Sequence, residues 1–164
     1  MSAFVIDAFE FSRLKERREG AIPVNDLTRL IEELADPSGI LSWKLTGSAN
    51  QSGHAQLMLA VNGSLQIMCQ RCLTPFVFDI DSESLLILAK DEVVADEIDA
   101  LLDDDQIDVI VGTKALDIIQ LVEDEVLLSM PLSPKHLVCC ETSAHEALKS
   151  VKKESPFAML KNLK

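Results

Sequence analysis

The stretch "HAQLMLAVNGSLQIMC", residues 54–69, decides the fold class that this sequence predicts. On both sides of Asn62-Gly63, leucine, valine and isoleucine recur at every second position, which is typical of strands with one buried face. Asn-Gly is a strong hairpin signal because both residue types tolerate positive φ. The stretch therefore predicts two strands joined by a two-residue turn at Asn62-Gly63.

The segments around this hairpin extend it into a larger sheet. Residues 42–50 (SWKLTGSAN) are polar enough for an edge strand or a half-buried strand. Residues 75–81 (PFVFDID) alternate again, and residues 84–89 (SLLILA) are apolar on both sides, as in a covered strand. Residues 42–89 thus predict an antiparallel meander that is curled or covered on one face.

Two segments carry apolar residues at helical spacing, residues 27–34 and residues 113–131 (TKALDIIQLVEDEVLLSMP). Asn25 can cap the first helix, and Pro131 ends the second. The apolar stripes are Leu27, Leu30, Ile31 and Leu34 in the first helix and Ala115, Ile118, Ile119, Val122, Val126 and Met130 in the second. We expect both helices to pack on the sheet. The carboxylates of the second helix, including Glu123, are expected on a solvated face.

The predicted fold class is α+β, with an antiparallel, strongly curved or barrel-like sheet packed by two main helices and a short C-terminal helix. Residues 107–112 (IDVIVG) add a short strand. Residues 1–140 are expected to form a single domain, and residues 141–164 a polar linker and a C-terminal amphipathic element. In that element Phe157, Leu160 and Leu163 share one side, which either packs on the domain's own core or binds a partner.

The net charge of −12 is concentrated in one segment, residues 79–108, which holds twelve acidic residues and one basic residue, Lys90. That segment carries −11, so the rest of the chain carries −1. One interpretation is a solvated, mobile loop. The other is a docking surface for a basic partner, in which Asp103, Asp104 and Asp105 take part. Naked RNA would be repelled, because phosphate binding depends on lysine and arginine.

Cys69 and Cys72 form a C-x-x-C pair in a chain with four cysteines. A thioredoxin-like role is disfavoured, because a reactive pair usually lies where a helix begins, whereas Cys69 ends a predicted strand and Pro75 follows. Zinc remains open, and so do two buried thiols without a metal. Zinc needs four nitrogen or sulfur ligands, and His136 with Cys139 or Cys140 could supply the second pair. About 64 residues separate the pairs, so only the fold could assemble this site.

Motifs of common enzymes are absent from the sequence, including the phosphate-binding loop and the zinc-protease helix. A second hypothesis is a metal-dependent RNA-processing enzyme that uses Asp103, Asp104 and Asp105 with a divalent ion. A flexible acidic run lacks the fixed geometry that such catalysis requires. A third hypothesis is a zinc-stabilised adaptor for another target. No apolar run approaches the roughly 18–20 residues of a membrane-spanning helix, and we expect a cytoplasmic protein that does not bind membranes.

Three stretches together resemble one family. They are "CQRCLTPF" at residues 69–76, "LVEDEVLLSMPLSPKH" at residues 121–136 and "SPFAMLKNLK" at residues 155–164. In order and spacing they are similar to the YceD family, the large ribosomal RNA subunit accumulation proteins, formerly a domain of unknown function. The resemblance covers roughly residues 60–164, and the C-terminal Pro-Phe-Ala-x-Leu-Lys-x-Leu pattern is its most specific part.

The resemblance implies a role in the accumulation or processing of 23S ribosomal RNA, with no established catalytic activity. Many members carry Cys-x-x-x-Cys after the long helix, and the matching positions here are His136 and Cys140. Histidine can replace cysteine as a zinc ligand, so the resemblance favours Cys69, Cys72, His136 and Cys140, with Cys139 as the substitute. Because the chain is acidic, we expect its partner to be a basic ribosomal protein or another large-subunit assembly component, without tight direct binding to RNA.

Overall fold

The computed structural model describes residues 4–102 and 107–137. Its strands are β1 (Val5–Ile6), β2 (Arg17–Pro23), β3 (Leu34–Asp36), β4 (Ile40–Ala49), β5 (Ala55–Met68), β6 (Pro75–Ala89), β7 (Ile107–Val111) and β8 (Leu116–Asp117). Its helices are α1 (Ala8–Arg13), α2 (Thr28–Ile31), α3 (Glu92–Leu101) and α4 (Ile118–Ser129). The α+β class is confirmed.

The main sheet is mixed, whereas the sequence predicted an antiparallel one. Its strand order is β2-β4-β5-β6-β7, with β3 paired to the far end of β5. Strand β7 runs parallel to β6, and the other pairs of this sheet are antiparallel. Parallel neighbours need a crossover connection, and α3 lies in the sequence between these two strands. Among the described residues the sheet neither closes nor curls strongly, so the barrel-like form is not confirmed.

The hairpin predicted at Asn62-Gly63 is wrong. Strand β5 continues through both residues, with Asn62 opposite Asp81 and Gly63 opposite Ile80. Gly63 has φ +157° inside this strand, and a Cβ there would lie 2.7 Å from Cδ2 of Leu41 and 3.0 Å from the backbone oxygen of Ile40. The close approach of β4 therefore accounts for this glycine. The actual turn lies at residues 69–74, and the two strands predicted at 75–81 and 84–89 are one continuous strand, β6.

The edge position suggested for residues 42–50 is also wrong, because β4 pairs with β2 on one side and β5 on the other. Its half-buried character fits the alternation along the strand, in which Leu41, Trp43 and Leu45 are buried and the residues between them are exposed. A central strand of a sheet with one wet face needs only this alternation.

The single helix predicted over residues 27–34 is wrong. The chain forms a 3-10 turn (Val24–Asp26), then the four-residue α2, and then β3, in which Leu34 pairs with Ile67. Asn25 does not cap α2, since Leu27 is its N-cap and makes no side-chain capping hydrogen bond. Leu27 and Leu30 are nonetheless fully buried. Pairing with β5 thus overrides the helical spacing of this segment.

Helix α4 lies against the sheet with Ile118, Val122 and Val126 buried, as the apolar stripe predicts, and it ends just before Pro131. Ala115 of the predicted stripe is wrong, because it precedes the helix and is exposed. Helices α1 and α3 were not predicted. Each has an aspartate cap: Asp7 accepts backbone N–H groups at the start of α1, and Asp91 accepts the N–H of Val94 in α3. In the part of the chain described here, no helix is long and apolar enough to span a membrane.

The described residues of the acidic segment, 79–102 and 107–108, do not form one loop. They comprise most of β6, helix α3 and the start of β7. Ile98 of α3 packs with Ile87 and Ala89 of β6 in a small cluster beside the main core. The charged side chains on these strands and on α3 are therefore held by regular elements, which fixes where they face.

Candidate functional sites: a cysteine-histidine cluster and an acidic groove

The turn between β5 and β6 places Cys69 and Cys72 on one short loop. The backbone N–H of Cys69 donates to the carbonyl of Thr74 at 3.0 Å, and the N–H of Leu73 donates to the carbonyl of Cys69 at 2.9 Å. Leu73 has φ +56°, a left-handed conformation that glycine adopts without cost. The sequence has leucine where glycine often follows the second cysteine of a zinc knuckle, and here that leucine adopts the conformation favoured by glycine.

The loop after α4 reaches this turn and brings His136 to it. The backbone N–H of Gln70 donates to the carbonyl of Pro134 at 2.9 Å, which joins the two loops. The His136 ring also packs on Phe76, the second residue of β6, with 4.7 Å between ring centroids. Two residue stretches far apart in the sequence therefore meet through backbone and ring contacts.

The ligand atoms of Cys69, Cys72 and His136 all lie within 4.8 Å of one another. Sγ of Cys72 lies 3.3 Å from Nδ1 of His136 and 3.0 Å from Oγ1 of Thr74. Cys69 is fully buried and Cys72 is half-buried. Residues 4–102 and 107–137 contain no other such group of three histidine, cysteine or carboxylate side chains.

Two thiols and an imidazole are a donor set that suits zinc. No helix begins at residues 69–74, so the turn lacks the helix amides that activate redox thiols. Cys139 and Cys140, the sequence candidates for a further ligand, lie outside the described residues. The metal assignment therefore stays a prediction, and the structure brings together three of its proposed ligands.

A second site is a groove between α3, β7 and α4, with a volume of about 570 Å³. We name it the acidic groove. Its carboxylates are Asp96, Asp99, Asp108, Asp124 and Glu125, and its apolar lining residues are Leu86, Ala95, Val109, Ile110, Leu121, Leu127 and Leu128. No lysine or arginine lines it among the residues that the structure describes. The groove thus combines an apolar surface with unbalanced negative charge.

The carboxylates of the acidic groove differ in how far they are already paired. Asp124 lies 2.7 Å from the guanidinium of Arg29, and Glu125 accepts a hydrogen bond from the hydroxyl of Ser82. Asp96, Asp99 and Asp108 are exposed and form no ion pair within the described part of the chain. These three carry the charge that remains available to a partner.

Glu123 is buried, so its predicted place on a solvated face is wrong. Its carboxylate accepts the backbone N–H groups of Arg29 at 2.7 Å and Leu30 at 3.1 Å, and Nε of Arg29 at 3.0 Å. Asp124 and then Glu123 raise the pKa of Arg29 above its ordinary value through these hydrogen bonds. The sequence contained an indication of this burial. Glu123 lies four residues after Ile119 and three before Val126, so it shares a helix face with these apolar residues.

The three arginines near the N-terminus are paired with neighbouring carboxylates. The pairs are Arg13 with Glu10, Arg17 with Glu19, and Arg18 with Glu16. The guanidinium of Arg17 lowers the pKa of the Glu19 carboxyl below its usual range. This stretch consequently offers little unpaired positive charge to a phosphate backbone.

The remaining residues proposed from the sequence, Asp103, Asp104 and Asp105 in the acidic run and Phe157, Leu160 and Leu163 near the C-terminus, lie outside the described residues. Their proposed roles in binding a partner, and the role of the aspartates in binding a divalent ion, stay predictions.

Comparison with known proteins identifies the family to which this chain belongs. The sequence model of the family described as large ribosomal RNA subunit accumulation protein YceD matches residues 57–164. The chain belongs to this family. A relative from Haemophilus influenzae, the large ribosomal RNA subunit accumulation protein YceD, is 30% identical over an alignment of 160 positions, and the alignment covers 88% of this chain and 86% of the relative. No solved structure matches.

Proposed function

We propose that this protein is a non-enzymatic factor that supports the accumulation of 23S ribosomal RNA by binding a basic protein of the large subunit or its assembly machinery. Membership of the YceD family supports the ribosomal role. The observation that carries the mode of action is the acidic groove, which pairs an apolar surface with exposed carboxylates.

Charge favours a protein partner over RNA. A protein that binds RNA through its phosphates needs a surface rich in lysine and arginine. This chain has a net charge of −12, and the arginines near its N-terminus are paired. The acidic groove would repel phosphate and attract lysine and arginine side chains at long range. This protein therefore acts on ribosomal RNA indirectly, by binding a basic polypeptide that itself binds the RNA.

The apolar part of the acidic groove gives a basic partner more than charge. Leu128 is 78% exposed, although it lies beside the half-buried Leu121 and Leu127. A peptide with an apolar side chain between basic residues could cover Leu128 while its basic side chains meet Asp96, Asp99 and Asp108. Removing apolar area from water stabilises such a complex even where salt screens the charges.

The direct experiment measures binding to purified large-subunit ribosomal proteins and to ribosomal RNA at several salt concentrations. We expect binding to at least one basic protein, weakening as salt rises. The triple variant D96N/D99N/D108N, which removes three exposed charges from the acidic groove, should weaken it by about tenfold or more.

The chain offers a matched control for this variant. Asp79, Asp81 and Glu83 are exposed residues of β6 in the same acidic segment, but they do not line the acidic groove. The variant D79N/D81N/E83Q loses the same charge and should bind almost normally. Equal losses in both variants would show that only overall charge matters. Tight RNA binding with a steep salt dependence, and no protein binding, would overturn the proposal.

The non-enzymatic part of the proposal needs its own test. The alternative is a metal-dependent RNA-processing enzyme built on Asp103, Asp104 and Asp105. Incubation of a precursor ribosomal RNA with the pure protein and magnesium should leave the RNA intact. Magnesium-dependent cleavage that is lost in the variant D103N/D104N/D105N would replace the proposed binding role with catalysis.

A further inference from the structure

We propose that Cys69, Cys72 and His136 bind a zinc ion that fastens the β5–β6 turn to the loop after α4. This inference is independent of the acidic groove, because none of these three residues lines it. It rests on the distances within the cluster, on the contacts that hold the two loops together, and on the chemistry of the three side chains.

The distances suit a tetrahedral site. Zn–S bonds of about 2.3 Å and Zn–N bonds of about 2.0–2.1 Å place neighbouring ligand atoms roughly 3.5–3.8 Å apart. Sγ of Cys72 and Nδ1 of His136 are 3.3 Å apart, and the three ligand atoms lie within 4.8 Å of one another. Shifts of about 1 Å or less in these separations would bring the three ligand atoms to the spacing of a tetrahedral zinc site.

The backbone holds both loops in place by contacts that do not involve the ligand atoms. The hydrogen bond from Gln70 to Pro134 joins the loops, and the bond from Cys69 to Thr74 closes the turn. Leu73 in its left-handed conformation costs about 1–2 kcal/mol relative to an ordinary backbone conformation. Strain of this kind in a defined turn is a recognised mark of functional sites.

The surroundings of Cys72 and His136 resemble a second ligand shell. Oγ1 of Thr74 lies 3.0 Å from Sγ of Cys72, where its hydroxyl can donate to a thiolate. The ring of Phe76 packs on the imidazole and limits its rotation. The Thr74 hydroxyl and the Phe76 ring thus hold the sulfur of Cys72 and the imidazole of His136 in defined positions, as the outer contacts of a metal site do.

Two thiols without a metal are the competing explanation. A buried cysteine such as Cys69 is common in cores and needs no metal. Core packing of Cys69 does not explain why the half-buried Cys72, on the same turn, and the half-buried His136, on the loop after α4, both lie next to its sulfur. Cys139 and Cys140 follow His136 by three and four residues and are candidates for a fourth ligand, but the inference rests on the three described residues.

The test uses full-length protein without a histidine tag and measures its metal content by mass spectrometry. We expect about one zinc per chain. The variants C72S and H136A should each lose most of it, with affinity falling by about tenfold or more. The control H54A changes a histidine just before the opposite end of β5 and should keep the metal. Circular dichroism would verify that each variant is folded.

A second readout needs no variant. Zinc bound to Cys72 should slow its alkylation, and a chelator should restore the rate, as mass spectrometry of the peptide would report. Folded wild-type protein that neither contains zinc nor takes it up would overturn the inference. So would zinc that C72S and H136A retain in full, or an alkylation rate at Cys72 that zinc and chelator leave unchanged.

Discussion

Glu123 and the carboxylates of the acidic groove belong to one acidic protein, but they differ in what surrounds them. Glu123 is 5% exposed and accepts three hydrogen bonds from Arg29 and Leu30. Asp96, Asp99 and Asp108 are exposed and have no ion-pair partner in the described part of the chain. Acidic composition alone therefore does not separate a carboxylate that stabilises the fold from one that remains available for binding.

Helix α4 contributes to both environments from adjacent positions. Glu123 faces α2, whereas Asp124 and Glu125 line the acidic groove. One helical residue turns the side chain by about 100°, so a single step along the chain moves a carboxylate from a buried junction to an open rim. Arg29 joins the two environments, because it contacts both Glu123 and Asp124. Substitutions here should separate stability from binding.

The largest effect is expected for E123A. Helix α2 has no side-chain cap of its own, and the carboxylate of Glu123 accepts the N–H groups of its first turn. Without it, two N–H groups lose their acceptor, and the free energy of unfolding should fall by about 3 kcal/mol. Chemical denaturation would measure this.

The variant E123Q retains an oxygen acceptor and should lose roughly half as much. D124N, at the neighbouring exposed position, is the matched control and should change stability by about 0.5 kcal/mol or less. If E123A were as stable as D124N, the contrast between buried and rim carboxylates would be wrong.

R29M should affect stability less than E123A does. It should lower the stability of the protein but strengthen its binding to a basic partner. Glu123 would keep its two backbone donors but lose the guanidinium, which should lower the free energy of unfolding by less than E123A does. Asp124 would lose its ion pair, and the acidic groove would gain one unpaired negative charge. Binding of a basic partner should therefore tighten at low salt.

Denaturation and binding measured on the same R29M protein would test this pairing of effects. D124N serves as the counterpart, because it removes the same ion pair while making the acidic groove less negative. Weaker partner binding by R29M than by D124N would contradict the electrostatic account of the acidic groove.

Much of the fold was predictable from the sequence, because period-two alternation in residues 42–89 reflects burial directly. Turn chemistry was less reliable. Asn62-Gly63 has the composition of a hairpin turn, but the glycine accommodates Leu41 of a neighbouring strand, and such a demand arises only from tertiary packing. The strand at residues 107–112 was predicted, but its parallel pairing with β6 was not, since the acidic charge of the connecting helix α3 concealed the apolar contact that α3 makes through Ile98.

The candidate sites were likewise predictable only where a local sequence pattern marks them. The C-x-x-C spacing pointed to Cys69 and Cys72, and the stretch HLVCC at residues 136–140 pointed to His136. Their proximity depends on the hydrogen bond between the two loops, which no local pattern encodes. The charge of the acidic groove was visible in the sequence, but its apolar surface was not, because Leu86, Val109 and Leu128 come from three separate elements.

L128A should have the smallest effect on stability of these variants. It should nevertheless weaken the binding of a partner. Leu128 is 78% exposed, so truncating it should change the free energy of unfolding by about 0.5 kcal/mol or less. If a partner's apolar side chain covers it, binding should weaken by roughly tenfold, since burying such a side chain contributes about 1.5–3 kcal/mol. The loss should persist at high salt, unlike that of the charge variants, because apolar contacts are not screened.

The matched control is V93A, which truncates a 68% exposed residue of α3 that does not line the acidic groove. Titrations of both variants at low and high salt would separate the apolar and ionic parts of binding. If L128A bound as well as V93A at every salt concentration, the partner would be held by charge alone. The acidic groove would then be a charged surface that repels RNA and attracts basic chains, without a specific apolar contact.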